Sequence, residues 1–259
     1  MVKITLEFLL KIPSYYLEIQ KYLFAGGFPN VLFDSEEKVF KRVINILEKI
    51  VYDDLPKASS LTKESLPKIF PVLTVLSGQL GSIAHRTLTS NIDKLTLPQL
   101  SDIFEALSRA GVIIPISISS NSTMSIVKKS KKYYFMTPTI RAAILWNIGK
   151  FNKTTEILGL LLEDAVFNTL YKIKVFTNLI QSIDYPKEDD NKSCDFIVQT
   201  PTGKIALECG WGIKDISQIK NIIIKEKTKY GIIVDGSTER LIEKDNILFA
   251  PKEIFLMMA

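Results

Sequence analysis

Two acidic residues stand at the ends of a segment with the pattern of a strand hairpin. Asp195 begins the run Asp-Phe-Ile-Val, and Glu208 ends the run Ile-Ala-Leu-Glu. If Thr200 pairs with Gly203, the register puts both carboxylates on one face with Cβ atoms about 4.5 to 5.5 Å apart. Carboxylates this close repel unless a cation or a proton lies between them, and their oxygens are suitable ligands for Mg²⁺ or Mn²⁺.

The register of the hairpin decides whether the two acids meet. A turn with a glycine bulge would shift the pairing by one residue and place Asp195 and Glu208 on opposite faces of the sheet. In the unshifted register Cys194 lies opposite Cys209 on the other face, and the sequence leaves open whether these cysteines are bonded.

A third acid precedes the hairpin on a predicted helix. Glu163 lies among apolar residues in the helical pattern from Glu156 to Lys172, and a carboxylate on an apolar face needs a partner. A metal ion held by Asp195 and Glu208 would supply one, which makes all three acids candidate catalytic residues and metal ligands. The alternative is that Glu163 pairs with a surface lysine, Asp195 accepts from a strand-start amide and Glu208 faces water.

The segments around the hairpin alternate between helical and extended patterns. Helix, hairpin, helix and strand in this order indicate an α/β domain with a mixed sheet. The predicted elements are helices Glu156 to Lys172 and Ile216 to Glu226, and strands Val175 to Ile183, Cys194 to Thr200, Lys204 to Cys209 and Tyr230 to Val234.

The first half of the chain has a helical pattern. Thr96 and Gln99 form a capping box at the start of a helix whose apolar stripe ends at Gly111. A shorter helical segment, Ser82 to Ile92, precedes it, and two strand patterns follow, Val112 to Ile118 and a run that ends at Phe135. Helix, turn, helix and two-stranded ribbon is the order of a winged helix-turn-helix.

A basic strand in this region is the predicted nucleic-acid-binding element. It lies beside a polar hairpin tip, as expected where a wing meets phosphates, and Arg86 precedes the capped helix. The alternative is an edge strand that lysines protect from aggregation. Asp102 and Glu105 on the exposed face of the capped helix oppose sequence-specific reading of the major groove. The lysines are Lys128, Lys129, Lys131 and Lys132.

The overall composition excludes several classes of site. The net charge of +5 permits nucleic acid as a partner without requiring it. A single histidine and two cysteines exclude His-rich metal sites, thiolate zinc sites and disulfide frameworks, and they disfavour Ser-His and Cys-His nucleophiles. No apolar run approaches the roughly 18 residues of a membrane-spanning helix, and no secretion signal is evident, so we expect a cytoplasmic protein with no membrane partner.

Short motifs along nearly the full chain match one group of proteins. They are Gly26-Gly27-Phe28-Pro29, Val51-Tyr52-Asp53-Asp54, Ser82 to Ile114, Lys132-Tyr133-Tyr134-Phe135, Leu162-Glu163-Asp164, Asp195-Phe196-Ile197-Val198 and Gly203 to Glu208. With these motifs the sequence resembles the C-terminal part of archaeal and bacterial AAA-type ATPases, in which a winged helix and a restriction-endonuclease-like domain of the PD-(D/E)xK type follow the nucleotide-binding domain.

The resemblance implies a fold and a set of roles. It implies a helical segment at 1–60, a winged helix at 61–150 and a PD-(D/E)xK nuclease-like mixed-sheet α/β domain at 151–259, an α+β or α/β chain overall. In such nucleases the helix acid, the strand Asp and the Glu bind a metal, which here are Glu163, Asp195 and Glu208. A lysine two residues after the Glu stabilises charge and positions the attacking water.

Two departures from that family pattern bear on activity. Position 210, where the lysine belongs, is glycine, and Lys214 can replace it only if the loop between them curls back. Losing such a cation typically lowers the rate by a factor on the order of 10² or more. The phosphate-binding motif G-x-x-x-x-G-K-[ST] is absent, so we expect neither ATP binding nor ATPase activity.

These observations lead to two functional hypotheses from different classes. The first is a protein that binds nucleic acid non-specifically and acts as a degenerate or weak nuclease dependent on Mg²⁺ or Mn²⁺. The second is a non-enzymatic module, left from a larger ATPase, that binds protein or DNA. The sequence does not decide between DNA and RNA, and it does not give the oligomeric state.

Overall fold

A computed structural model describes residues 16–31, 33–79, 85–120, 122, 124, 131–186, 194–212, 214, 216–236 and 238–258. Two compact units divide the chain. Leu23–Asp164 forms one of them, which we call the helical unit. Ala165–Ala259, with the N-terminal segment up to Tyr22, belongs to the other, which we call the sheet unit.

The helical unit contains the helices and the ribbon that the sequence predicts. Among its described residues, β1 and β2 pair antiparallel, with Ile113 opposite Phe135 and Ile116 opposite Lys132. The elements are α1 (Tyr16–Ala25), whose residues up to Tyr22 belong to the sheet unit, a 3₁₀ turn (Pro29–Val31), α2 (Glu36–Lys49), a π-helical segment (Ile50–Asp54), α3 (Leu55–Ala58), α4 (Leu66–Ser77), α5 (His85–Asn91), α6 (Leu97–Arg109), β1 (Ile113–Ile118), β2 (Lys132–Phe135) and α7 (Pro138–Asn147).

The capping box at the start of α6 is confirmed. The Thr96 hydroxyl accepts from the backbone N–H of Gln99 at 3.4 Å, and the Gln99 side chain accepts from the Thr96 N–H at 3.2 Å. Two amides that the first helical turn cannot satisfy are thereby paired. One face of α6 is buried, as the apolar stripe predicts, through Leu100, Ile103, Phe104 and Leu107.

The Gly-Gly-Phe-Pro motif has a structural role in this unit. The hydroxyls of Thr137 and Thr139 donate to the carbonyl of Gly26 at 2.7 and 2.6 Å, which fastens the turn to the start of α7. Gly27 has φ +85°, and a Cβ there would lie 2.6 Å from the Thr137 hydroxyl oxygen. Only glycine combines that conformation with so close an approach.

A buried ion pair crosses the helical unit. The guanidinium of Arg141 donates to Asp164 at 2.5 and 3.0 Å, and both residues are at most 3% exposed. The same guanidinium donates to the carbonyls of Leu76 and Ser77 at 3.0 Å, which satisfies the last turn of α4. Burial raises the pKa of the Asp164 carboxyl, and the charge of Arg141 opposes that shift.

The sheet unit is built on a mixed sheet, as the sequence predicts. Six strands of its described residues follow the order β3-β4-β5-β6-β8-β7. The β3–β4, β4–β5 and β7–β8 pairs are antiparallel, and the β5–β6 and β6–β8 pairs are parallel. The elements are α8 (Thr155–Phe176), which begins in the helical unit, β3 (Ser182–Tyr185), β4 (Phe196–Thr200), β5 (Gly203–Gly210), α9 (Ile216–Lys225), β6 (Tyr230–Asp235), β7 (Ile242–Lys244), β8 (Ile247–Pro251) and α10 (Lys252–Leu256).

Apolar residues cover both faces of this sheet. On one face α9 contributes Ile219 and Ile222 to a buried cluster with Ile197 and Ala206. On the other face Phe196 stacks on Phe167 of α8 with ring centroids 6.2 Å apart. A sheet covered on both faces leaves its strand ends as the natural place for polar groups.

The predicted strand from Val175 to Ile183 is wrong in its first part. Helix α8 continues through Phe176, because the amide and hydroxyl of Thr177 both donate to the Ile173 carbonyl and complete the last turn. Only Ser182–Tyr185 forms strand β3. In the described ranges of the chain, no helix has both the length and the apolar composition needed to cross a membrane.

The Arg141–Asp164 pair predicts a large loss of stability when one partner is removed. Arg141→Met leaves the Asp164 charge buried without its guanidinium, so we expect a loss of about 3–5 kcal/mol in the free energy of unfolding. Arg109→Met, which removes an exposed arginine paired with Glu105 at 2.6 Å, is the control and should cost less than about 0.5 kcal/mol. Urea unfolding measures both, and equal losses would contradict a buried pair.

Candidate functional site

The predicted acids of the hairpin lie at the end of the sheet where its parallel strands finish. Strands β5, β6 and β8 run parallel and end there, and the antiparallel strand β4 begins there. Asp195 directly precedes β4, and Glu208 lies two residues before the end of β5. Ligand sites of open α/β sheets form in this place, outside the carboxyl ends of parallel strands.

The register of the hairpin is the one of the two alternatives that brings the acids together. Thr200 pairs with Gly203, and the ladder continues to Phe196 opposite Leu207. Asp195 and Glu208 are the next residues beyond this last pair, and the register has no shift of one residue, so the alternative of a bulge is wrong. By strand alternation Glu208 shares the face of Ala206, the face that packs against α9.

Asp195 is fixed by a backbone group of the neighbouring strand. Its Oδ2 accepts from the N–H of Cys209 at 2.7 Å. The sequence left open that Asp195 accepts from an amide at the start of a strand. The amide observed here belongs instead to Cys209, the residue that follows Glu208. The hydrogen bond therefore orients the Asp195 carboxylate beside the second acid.

Glu208 is buried and paired, so the alternative that it faces water is wrong. The residue is 3% exposed, and its Oε1 accepts from the ammonium of Lys214 at 2.8 Å. Burial by itself lowers the pKa of Lys214, but the charges of Glu208 and Asp195 outweigh it and raise that pKa above its ordinary value. The ammonium therefore remains charged in the field of both carboxylates.

Lys214 reaches Glu208 through space that a side chain at position 210 would fill. A Cβ on Gly210 would lie 2.0 Å from Cε of Lys214 and 3.0 Å from its Nζ. Lys214 lies just before α9, and its side chain passes over β5 at Gly210. Lys214 therefore lies over Gly210, the position where the family resemblance expects a lysine.

Glu163 lies in the helical unit, on α8. It is 8% exposed, and its Oε1 accepts from the hydroxyl of Tyr134 at 2.7 Å. The alternative of a surface pairing with lysine is therefore wrong, since the carboxylate is buried and bound by a phenol. Its role as a third metal ligand remains a prediction.

The acids of the sheet unit fit a hard cation only in part. Across the described residues no group of three or more His, Cys, Asp or Glu side chains is placed to hold a metal ion. Asp195 and Glu208 offer two carboxylates, and Mg²⁺ is commonly held by one or two carboxylates with water and substrate phosphates as its other ligands. The role of Asp195 and Glu208 as metal ligands remains a prediction.

The remaining predicted residues have different surroundings. Lys131 is partly exposed, whereas Lys132 is only 8% exposed. Lys128 and Lys129 lie outside the described residues, as does the side chain of Arg86, whose backbone is in α5. Cys194 and Cys209 are both buried, and no disulfide joins them.

Comparisons with known proteins place the chain in a family. A family model described as a domain of unknown function, DUF8612, matches residues 16–150. The chain belongs to the DUF8612 family. The matched range covers the helical elements and the ribbon of this DUF8612 protein, and it ends before the strands that carry Asp195 and Glu208.

A relative extends the likeness over both units. An uncharacterized protein of Methanocaldococcus jannaschii, MJ1637, is 30% identical over 257 residues, which is 96% of this DUF8612 chain and 51% of the relative. The chain thus spans about half the length of the curated relative it matches. No solved structure matches it.

Two glycines of one loop provide a matched test of the site. Gly210→Ala should displace Lys214 from Glu208, because the new Cβ occupies the place of the lysine Cε. Gly212→Ala, where a Cβ meets nothing within 4 Å, should leave the pair intact. We expect Gly210→Ala alone to lose about 1–3 kcal/mol of unfolding free energy, since it leaves a buried carboxylate without its ammonium.

Crystal structures of both variants and urea unfolding make the measurement. Lys214 still bound to Glu208 in the Gly210→Ala structure would show that the close approach does not determine where the lysine lies.

Proposed function

We propose that this protein binds nucleic acid and that its sheet unit is a degenerate, weak nuclease of the PD-(D/E)xK type, dependent on Mg²⁺ or Mn²⁺. Lys214 takes the role of the motif lysine that is missing at position 210. The observation that carries the proposal is the 2.8 Å contact between the Lys214 ammonium and Glu208, made across the space above Gly210. A lysine and two acids are among the groups that the resemblance assigns to this chemistry.

The order of elements supports the proposal. Helix α8, strands β3, β4 and β5, helix α9 and the parallel strand β6 follow one another along the chain. This order agrees with the mixed-sheet α/β domain that the resemblance implies. Asp195 directly precedes β4 and Glu208 lies on β5, and the resemblance assigns both acids to the metal site.

The chemistry follows from the charges at this end of the sheet. Cleavage of a phosphodiester places negative charge on the phosphoryl oxygens, and a fixed ammonium in a partly desolvated site stabilises it. Lys214 supplies this ammonium, and the Glu208 contact holds it in place. Asp195 and Glu208 would hold the metal ion, which when bound activates water and neutralises phosphoryl charge.

The helical unit supports binding to the nucleic-acid backbone. The order α5, α6, β1 and β2 agrees with a winged helix. Asp102 and Glu105 are exposed on α6, and acids on that face repel DNA, so we propose non-specific binding through the lysines that precede β2 in the sequence, Lys128, Lys129 and Lys131. Phosphate contacts of this kind are independent of sequence.

A second candidate function is a non-enzymatic module that binds protein or nucleic acid. The observation that favours it is the Glu208–Lys214 pair itself, because a buried carboxylate needs a cation even where no reaction occurs. In that case the pair would only hold the loop before α9. Replacement of Lys214 distinguishes the two functions, because it lowers the rate of nucleic-acid cleavage only if the protein is an enzyme.

The rate at which the protein nicks supercoiled plasmid DNA in the presence of Mn²⁺ tests the nuclease proposal. Lys214→Met should lower the nicking rate by a factor on the order of 10². The control is Lys220→Met, which removes an exposed lysine of α9 that pairs with Asp245 at 2.9 Å and should leave the rate unchanged. Equal rates in the wild type, both variants and Asp195→Asn would favour the non-enzymatic module.

A transplanted lysine refines this test. Gly210→Lys combined with Lys214→Ala places the amine at the motif position and removes the side chain that would collide with it. We expect nicking well above that of Lys214→Met. If the double variant is as inactive as Lys214→Met while it still folds, an amine delivered from position 210 does not serve this site.

Nucleic-acid binding is tested by its salt dependence. Replacement of Lys128, Lys129 and Lys131 by alanine together should reduce the slope of log K against log salt by about 2 to 3, since each phosphate contact contributes about 0.9 for a duplex. Lys132→Met is the control, because its side chain is buried and should contribute little to the slope. Fluorescence anisotropy of a labelled duplex measures both, and an unchanged slope in the triple variant would contradict binding through these lysines.

A further inference from the structure

A lysine is buried at the same end of the sheet, beyond the carboxyl ends of the parallel strands and outside the site described above. Lys252 begins α10 immediately after β8 and is 2% exposed. Lysines are almost never fully buried unless they are paired. Its Nζ lies 2.8 Å from Oε1 of Glu253 and 5.0 Å from the ring centroid of Trp211, a cation–π distance.

A second glycine accommodates this contact. Gly236 follows β6, and a Cβ on it would lie 2.4 Å from the carbonyl oxygen of Trp211 and 3.3 Å from Nζ of Lys252. The backbone of Trp211 and the ammonium of Lys252 therefore pass closely over Gly236. This repeats the relation between Gly210 and Lys214 on the neighbouring strand.

Strand register explains why these residues meet. Gly210 pairs with Asp235, and Asp235 pairs with Pro251. The three strand ends are therefore level. Trp211 follows β5, Gly236 follows β6 and Lys252 follows β8. The indole of Trp211, the backbone of Gly236 and the ammonium of Lys252 therefore lie side by side at this end of the sheet.

Trp211 is also the first residue of the loop that delivers Lys214. Two residues separate Trp211 from Lys214 in the sequence, so fixing Trp211 restricts the positions that Lys214 can reach. A short segment that contains glycine has many backbone conformations when neither end is fixed. Fixing Trp211 therefore reduces the conformational entropy that is lost when Lys214 binds Glu208.

We propose that Lys252 is a positioning residue, which fixes Trp211 by its ammonium and thereby holds the loop that brings Lys214 to Glu208. The inference rests on the proposed nuclease for its effect on rate, but the anchoring itself is measurable without activity. Lys252 is buried beneath the indole, so it acts through the loop and not by contact with the substrate.

The test uses the two tryptophans of the chain. In a Trp146→Phe background Trp211 is the single tryptophan, and its emission and acrylamide quenching report its surroundings. Lys252→Met should shift the emission of Trp211 to longer wavelength and increase its quenching, whereas Lys252→Arg should keep both near the parent values, since arginine retains a cation over the ring. Lys244→Met, which removes an exposed lysine of β7, is the matched control and should change neither.

The same proteins are then assayed for plasmid nicking in Mn²⁺. Lys252→Met should lower the rate by about 10- to 100-fold, the effect of a small misplacement of a catalytic group, and Lys252→Arg should restore most of it. Trp211→Leu, which keeps apolar bulk but removes the ring, should lower the rate similarly, and it decides the matter if Lys252→Met does not fold.

The two proposals fail in distinguishable ways. Absence of nicking in the wild type overturns the nuclease, while the response of Trp211 fluorescence still decides the anchoring. Unchanged emission and quenching in folded Lys252→Met overturns the anchoring, and so does full nicking activity in Trp211→Leu.

Discussion

The ion pair between Lys214 and Glu208 is the interaction on which the candidate site depends. Glu208 is nearly excluded from solvent at the end of the sheet where the parallel strands finish, and a buried carboxylate is costly unless a cation and hydrogen bonds compensate it. The lysine that compensates it arrives from the loop before α9, and Gly210 leaves the space for its stem. One absent side chain therefore permits both the burial of the acid and the placement of the amine.

Features set by local sequence were predictable. The capping box of α6 depends on residues three apart, and the hairpin register depends on alternation across the short Pro201–Thr202 turn. The mixed sheet followed from the order of helical and extended patterns. In each case the deciding contacts lie within a few residues of one another or follow from a fixed period.

Features set by the path of a loop or by distant partners were not predictable. The position of Lys214 depends on how the chain turns between Trp211 and α9, for which no period exists. The only signal was negative, a glycine where the family resemblance requires lysine. The Arg141–Asp164 pair joins residues 23 positions apart, and Glu163 has a tyrosine partner 29 positions away, so neither was evident from spacing. The end of α8 was also missed, because Thr177 and not the β-branched run sets it.

An enzyme and an interaction module make different demands on the same residues. A module needs the Lys214 ammonium only to neutralise Glu208. A nuclease also needs Asp195 oriented beside it, and the Cys209 amide provides that orientation at 2.7 Å. The alignment of the second acid has no role in neutralising the first, and this is why we favour the enzyme.

A calorimetric titration with manganese is the most direct test of this account, since it asks whether Asp195 and Glu208 form a metal site at all. We expect the wild-type protein to bind one Mn²⁺ ion with measurable heat and Asp195→Ala to show no specific heat. No heat in the wild type, or the same heat in both proteins, would contradict the account and leave the pair with a structural role alone.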